Sequence, residues 1–118
     1  MEMEKYGDYR DQVEAEVHDE LALFGFRLVH DHGGEPLEFG HMMLVFGWMQ
    51  KSYSSYRLNA FLDDLCQVCK EQDILCIDLK TGEPLKLDRM KATVIVGAFG
   101  TAYWRGKYLR SLEEQTSE

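Results

Sequence analysis

Apolar positions in the first part of the chain recur at helical spacing. Val13, Val17, Leu21 and Phe24 are separated by 4, 4 and 3 residues, which places them on one helix face. Glu14, Glu16, Asp19 and Glu20 then turn toward water. Asp8 is placed to cap the start of this helix and Gly25 to end it. Phe26–His30 reads as a strand and Asp31–Pro36 as a turn, where glycine reaches positive φ and proline fixes φ. Leu37 and Phe39 open a returning strand that runs past Gly40 through Met43, Leu44, Val45 and Phe46. The spacing of Leu58, Phe61, Leu62, Leu65, Val68 and Cys69 predicts a second helix from about Ser55 to Glu71. Ile74–Ile77 is rich in β-branched residues and reads as a strand. A turn follows over 78–84, and Leu85 and Leu87 begin the return. Ala92–Val96 is the clearest strand in the chain by composition. A short helix closes the sequence, from about Ala102 to Glu114.

A repeat underlies this order. Gly34-Glu35-Pro36-Leu37 recurs as Gly82-Glu83-Pro84-Leu85, an offset of 82 − 34 = 48, and the two tetrapeptides hold both prolines. Tyr6-x-x-Tyr9-Arg10, Tyr53-x-x-Tyr56-Arg57 and Trp104-Arg105 give a weaker echo, with arginine offsets of 57 − 10 = 47 and 105 − 57 = 48. The expectation is one domain over 1–118, with pseudo-repeats at 6–52 and 53–100 and a C-terminal helix at about 102–114. The fold class is α+β in the order α-β-β-α-β-β-α, with a mostly antiparallel four-stranded sheet and the helices on one face. Met42–Phe46 and Val94–Val96 do not alternate apolar with polar, so as strands they require cover on both faces. A homodimer is the simplest cover, and six methionines suit an adaptable interface or a core.

Composition narrows the function. With 118 residues, 45% hydrophobic and 29% charged, the chain is an ordinary globular domain. No apolar run approaches the ~18 residues a membrane span needs. Met1–Lys5 is acidic and has no signal-like apolar region, which points to the cytoplasm. Cys66, Cys69 and Cys76 are odd in number and are expected to be reduced. The net charge of −8 is unevenly spread. Residues 1–20 carry eight acids and two bases (2 − 8 = −6), and residues 86–110 carry six bases and one acid (6 − 1 = +5). Solvated helices account for such blocks in many proteins. The overall acidity speaks against nucleic acid as the partner.

Four clusters are candidates for chemistry. His30, His32 and His41 surround the first turn, and two histidines one residue apart on a strand point the same way and could share a metal. The offset of 48 puts Asp78, Lys80 and Arg89 at these positions in the second repeat, so the repeat does not preserve a site. Cys66-Gln67-Val68-Cys69 has redox spacing, but falls on the apolar face in the last turns of a helix, where cysteine acts as a small hydrophobe. Gly97-Ala98-Phe99-Gly100-Thr101, read as a loop between a strand and a helix bearing Arg105 and Lys107, could hold an anion on free backbone N–H groups. Tyr103, Trp104 and Tyr108 interleave with Arg105, Lys107 and Arg110, a pattern that suits base stacking or simple packing. Ser52–Ser55 reads as a capping turn, and Asp63 and Asp64, adjacent on a helix, diverge.

No nucleophile–base–acid set is present in the sequence, and no enzyme activity or cofactor is expected. The leading expectation is a small acidic protein that acts by protein–protein contact, in the manner of an inhibitor, immunity protein or adaptor. It would use Glu14, Glu16, Asp19 and Glu20 against a basic partner surface, as a homodimer. The second expectation is an anionic, nucleotide-like ligand bound near Gly97, Gly100, Thr101, Arg105 and Lys107. The third is a metal-dependent enzyme built on the histidines.

Overall fold

The computed structural model describes the backbone of residues 2–52 and 57–116 and the side chains of 10–52 and 57–104. The elements follow in the order α1 (Glu2–Ala22), β1 (Phe26–His30), α2 (Phe39–Ser52), α3 (Leu58–Glu71), β2 (Ile74–Asp78), β3 (Pro84–Leu85) and α4 (Arg89–Thr116). The class is α+β, with four helices and a three-stranded antiparallel sheet in the order β1-β2-β3. The expected fourth strand survives as a single antiparallel bridge, Val29 to Pro36, on the far side of β1.

Both hairpin tips form as the repeated tetrapeptide requires. Gly34 and Gly82 sit at φ 68° and 75°, in the left-handed region that L side chains avoid. The Gly34 N–H donates to the His30 carbonyl (3.1 Å) and the Gly82 N–H to the Asp78 carbonyl (2.7 Å). His30 N–H donates to Glu35 O and Asp78 N–H to Glu83 O. Every partner in the second hairpin is 48 residues beyond its counterpart in the first. Pro36 and Pro84 occupy the short outermost segments, where the missing N–H breaks no interior ladder.

Two runs expected as strands are helices. Met42–Phe46 lies inside α2 and Ala92–Val96 inside α4. Met42, Val45 and Met49 are buried along one stripe of α2, and Ala92, Ile95, Ala98, Phe99 and Ala102 along one stripe of α4. The α2 set is spaced by three and four, and in α4 each residue lies three or four from another of the set. Beyond its first turn a helix satisfies each N–H with its own carbonyls, so β-branched composition yields to that stripe. Two smaller expectations also change. Asp8 falls inside α1 rather than at its cap. The C-terminal helix does not begin near 102 but is the latter part of α4, so Trp104 opens no new element. The capping turn read at Ser52–Ser55 falls mostly on residues 53–56, outside the described residues, as does the Tyr53-x-x-Tyr56 echo.

The helices cover one sheet face. Phe26 and Leu28 of β1 and Ile74 and Cys76 of β2 join a single apolar cluster with Val13, Val17 and Leu21 of α1, Phe61, Leu65 and Cys69 of α3, and the buried stripes of α2 and α4. Strand alternation sends Arg27, Val29, Leu75 and Ile77 to the opposite face. The requirement for a dimer to cover two-sided apolar strands disappears with those strands. No helix among the described residues is long and apolar enough to cross a membrane.

Candidate functional site: the acidic helix and the β1–α2 junction

Helix α1 has two distinct sides. Its inner side is clamped to the start of α2. The Glu14 carboxylate accepts the backbone N–H of Phe39 at 2.6 Å, the first residue of α2, and so satisfies one of the orphan donors of that helix. His18 donates from Nε2 to the carbonyl of Leu37 at 2.9 Å. Glu14 is therefore half-buried and committed to the start of α2.

The outer side is open. Gln12, Ala15, Glu16, Asp19, Glu20 and Leu23 line a shallow groove of about 340 Å³ along it. These residues recur at intervals of three, one, three, one and three, a single helical stripe. Asp19 is exposed, and Glu16 and Glu20 are half-exposed. Leu23 and Phe24, at 78% and 62% exposure, add an apolar end where α1 turns into β1. The basic block has a place in this arrangement, because α1 packs more extensively against α4 than against any other element. The two charge blocks thus share neighbouring helices. The side chains of Arg105, Lys107, Tyr108 and Arg110 lie outside the described residues.

The glycine-loop reading is corrected by α4. Gly97, Gly100 and Thr101 lie in the interior of that helix, where backbone N–H groups are used by the preceding turn and offer no cradle for an anion. A cleft of about 350 Å³ does exist elsewhere, between α3 and the β2–β3 hairpin, lined by residues that include Cys66, Lys70, Cys76 and Lys86.

The histidines divide. His30 and His41 come together, and His32 stays exposed in the turn. The third member of the group is Glu38, the residue before α2, which sequence did not single out. His30 Nε2 lies 2.8 Å from one Glu38 oxygen, and His41 Nδ1 hydrogen-bonds to the other. The two imidazole contacts hold the Glu38 carboxyl below its ordinary range, led by the hydrogen bond to His30. Glu38 and His41 are three apart across a helix start, a spacing visible in the sequence. The proximity of His30 depends on the hairpin that turns β1 back toward α2.

The cysteines behave as apolar side chains. Burial pushes the Cys69 thiol up to about 12 and the Cys76 thiol up to about 11. Half-buried Cys66 is raised as well, first by desolvation and then by Asp63 and Asp88. A redox pair needs the opposite shift.

No protein-family model, no curated protein and no solved structure matches this chain.

Proposed function

We propose that the protein is a protein-binding module whose recognition surface is the outer side of α1. The observation that carries this reading is the groove in which Glu16, Asp19 and Glu20 form one row ending at exposed Leu23. Such a stripe suits a basic segment that brings one apolar residue to the Leu23 end. Charge complementarity of this kind speeds association and selects partners more than it adds affinity. Inhibitor, immunity and adaptor proteins share this chemistry of a small acidic surface that masks a basic one. Neutralising the row while leaving Glu14 at its cap provides the test. The E16Q/D19N/E20Q variant should capture less partner than wild type from extracts of the source cells, with a flatter salt dependence. Equal capture across salt would overturn the acidic-face reading.

A second observation favours self-association. Helix α2 fully buries Met42, Val45 and Met49 and packs Phe39, Met43, Phe46 and Trp48 partly against the core, while Leu44 stays 62% exposed. Beside it Phe46 contacts Tyr103 with ring centroids 4.7 Å apart, and Trp104 of α4 is 67% exposed. Aromatic and methionine side chains are enriched where proteins meet. Homodimerisation through α2 predicts a concentration-dependent mass in sedimentation equilibrium that L44D abolishes. A monomer at all accessible concentrations would remove it.

A further inference from the structure

The junction of β1 with α2 carries a second feature, on residues that the α1 reading does not use. We propose that His30, Glu38 and His41 form a binding site for a divalent transition-metal ion of the zinc class. One ligand atom from each of the three lies within 4.8 Å of the others. The two rings meet edge to face with centroids 4.6 Å apart, so both nitrogens converge on the carboxylate rather than stack past it. Ligands about 2.0–2.2 Å from a tetrahedral zinc sit roughly 3.3–3.6 Å from each other. The set therefore closes on an ion by side-chain rotation. Two imidazoles and one carboxylate suit zinc and its neighbours, whereas magnesium and calcium prefer oxygen alone. Three protein ligands leave a fourth position open to solvent or to a partner's side chain.

The backbone beneath each ligand is already held. His30 N–H donates to Glu35 O at 2.8 Å, and His30 O accepts from Gly34 N–H at 3.1 Å. The Glu38 carbonyl accepts Met42 N–H at 3.0 Å as the first bond of α2, which also fixes His41 one turn in. The side chains reach solvent, with exposures of 20% for His30, 49% for Glu38 and 39% for His41, so an ion has a route in.

The second unit shows that the fold does not need this group. The two units run in register at an offset of 48 as far as Leu37 and Leu85. Two further residues precede α4, so α2 and α4 correspond at 89 − 39 = 50. The structural counterparts of His30, Glu38 and His41 are then Asp78, Asp88 and Lys91, not Arg89 as the simple offset implied. There Lys91 Nζ pairs with Asp88 at 3.3 Å, a self-contained ion pair in place of imidazole and carboxylate. A lysine meets the structural need at that corner and cannot ligate zinc while protonated. The histidines in the first unit are a departure from what the scaffold requires.

A carboxylate held between two imidazoles can also stand without metal, and one experiment separates the cases. Full-length protein stripped with EDTA and dialysed is titrated with ZnCl₂ by calorimetry, and its Tm is followed with Zn²⁺ and with Mg²⁺. The expected result is one saturable zinc site, a Tm raised by Zn²⁺ and not by Mg²⁺, and affinity lowered at least about tenfold in H41K. H41K places a lysine beside Glu38 as Lys91 stands beside Asp88 in the second unit, and it should keep its metal-free Tm. E38Q provides the same comparison if H41K fails to fold. Absence of saturable binding, or affinity in the variants equal to wild type, would overturn the site.

Discussion

Leu28 and Cys76 face each other across β1 and β2, and they are 76 − 28 = 48 residues apart. Their pair is the centre of a local pseudo-twofold arrangement. Moving outward, Phe26 pairs with Asp78 and His30 with Ile74, so each residue meets the counterpart of its mirror position. The ends of the ladder obey the same rule. Asp31 N–H donates to Asp73 O and Leu79 N–H to Gly25 O, at 2.8 and 3.1 Å. Gly25 and Asp73, also 48 apart, both have positive φ (84° and 57°). The repeat joins to itself through its strands as well as through the packing of α1 on α4.

The repeated turn glycines should be equivalent in energy. A Cβ built at Gly34 or Gly82 meets nothing within 4 Å, so only the positive φ opposes a side chain. G34A and G82A should each lower stability by about 1–2 kcal/mol, and the double variant by close to the sum. Urea unfolding at neutral pH measures all three. A loss at only one turn would show that the hairpins differ in strain.

Glu14 and its acidic neighbours should separate cleanly. Loss of the carboxylate that accepts Phe39 N–H leaves a half-buried donor unpaired, which costs about 1–2 kcal/mol for E14A. E14Q keeps an acceptor and should lose less. D19N, on an exposed position, should fall within about 0.5 kcal/mol of wild type. Thermal and urea denaturation of the three variants give the comparison.

Asp88 links stability to pH. Its carboxylate accepts Lys91 N–H at 2.9 Å, capping α4, and pairs with Lys91 Nζ. The backbone hydrogen bond, more than the ion pair, holds its pKa below the ordinary aspartate value. A lowered folded pKa stabilises the native state above the unfolded value of about 3.9 and ceases to as pH falls through the folded one. D88A should therefore cost about 1 kcal/mol at pH 7, with the gap to wild type closing below about pH 4 as the carboxylate protonates. A gap independent of pH would assign the loss to something other than charge.

Thiol reactivity should follow burial. Native protein treated with iodoacetamide at pH 8 should be modified at Cys66 slowly, and at Cys69 and Cys76 barely at all, since both titrate near or above 11. All three should react in denaturant. Peptide mass spectrometry resolves them, and rapid native labelling of Cys69 would contradict its place in the core.

Sequence by itself determined α1, α3, β1, β2 and both glycine turns, because each rests on a local cause. The 4-4 spacing of Val13, Val17 and Leu21 has one regular solution, although Phe24, grouped with them by its spacing, lies past the end of α1 and is 62% exposed, and left-handed φ at Gly34 and Gly82 has one inexpensive residue. It also located His30 and His41. Tertiary structure alone decided α2 and the first part of α4, whose latter part the sequence already marked as a helix. A short apolar run such as Met42–Phe46 or Ala92–Val96 is equally at home in a buried strand or a buried helix, and what surrounds it chooses. The same holds for the sites. Glu14 and Glu20 are indistinguishable in sequence, yet one caps α2 and the other lines a groove. Glu38 had only its three-residue spacing to His41 to mark it, and its contact with His30 came from the hairpin, because proximity between residues eight apart is a property of the fold.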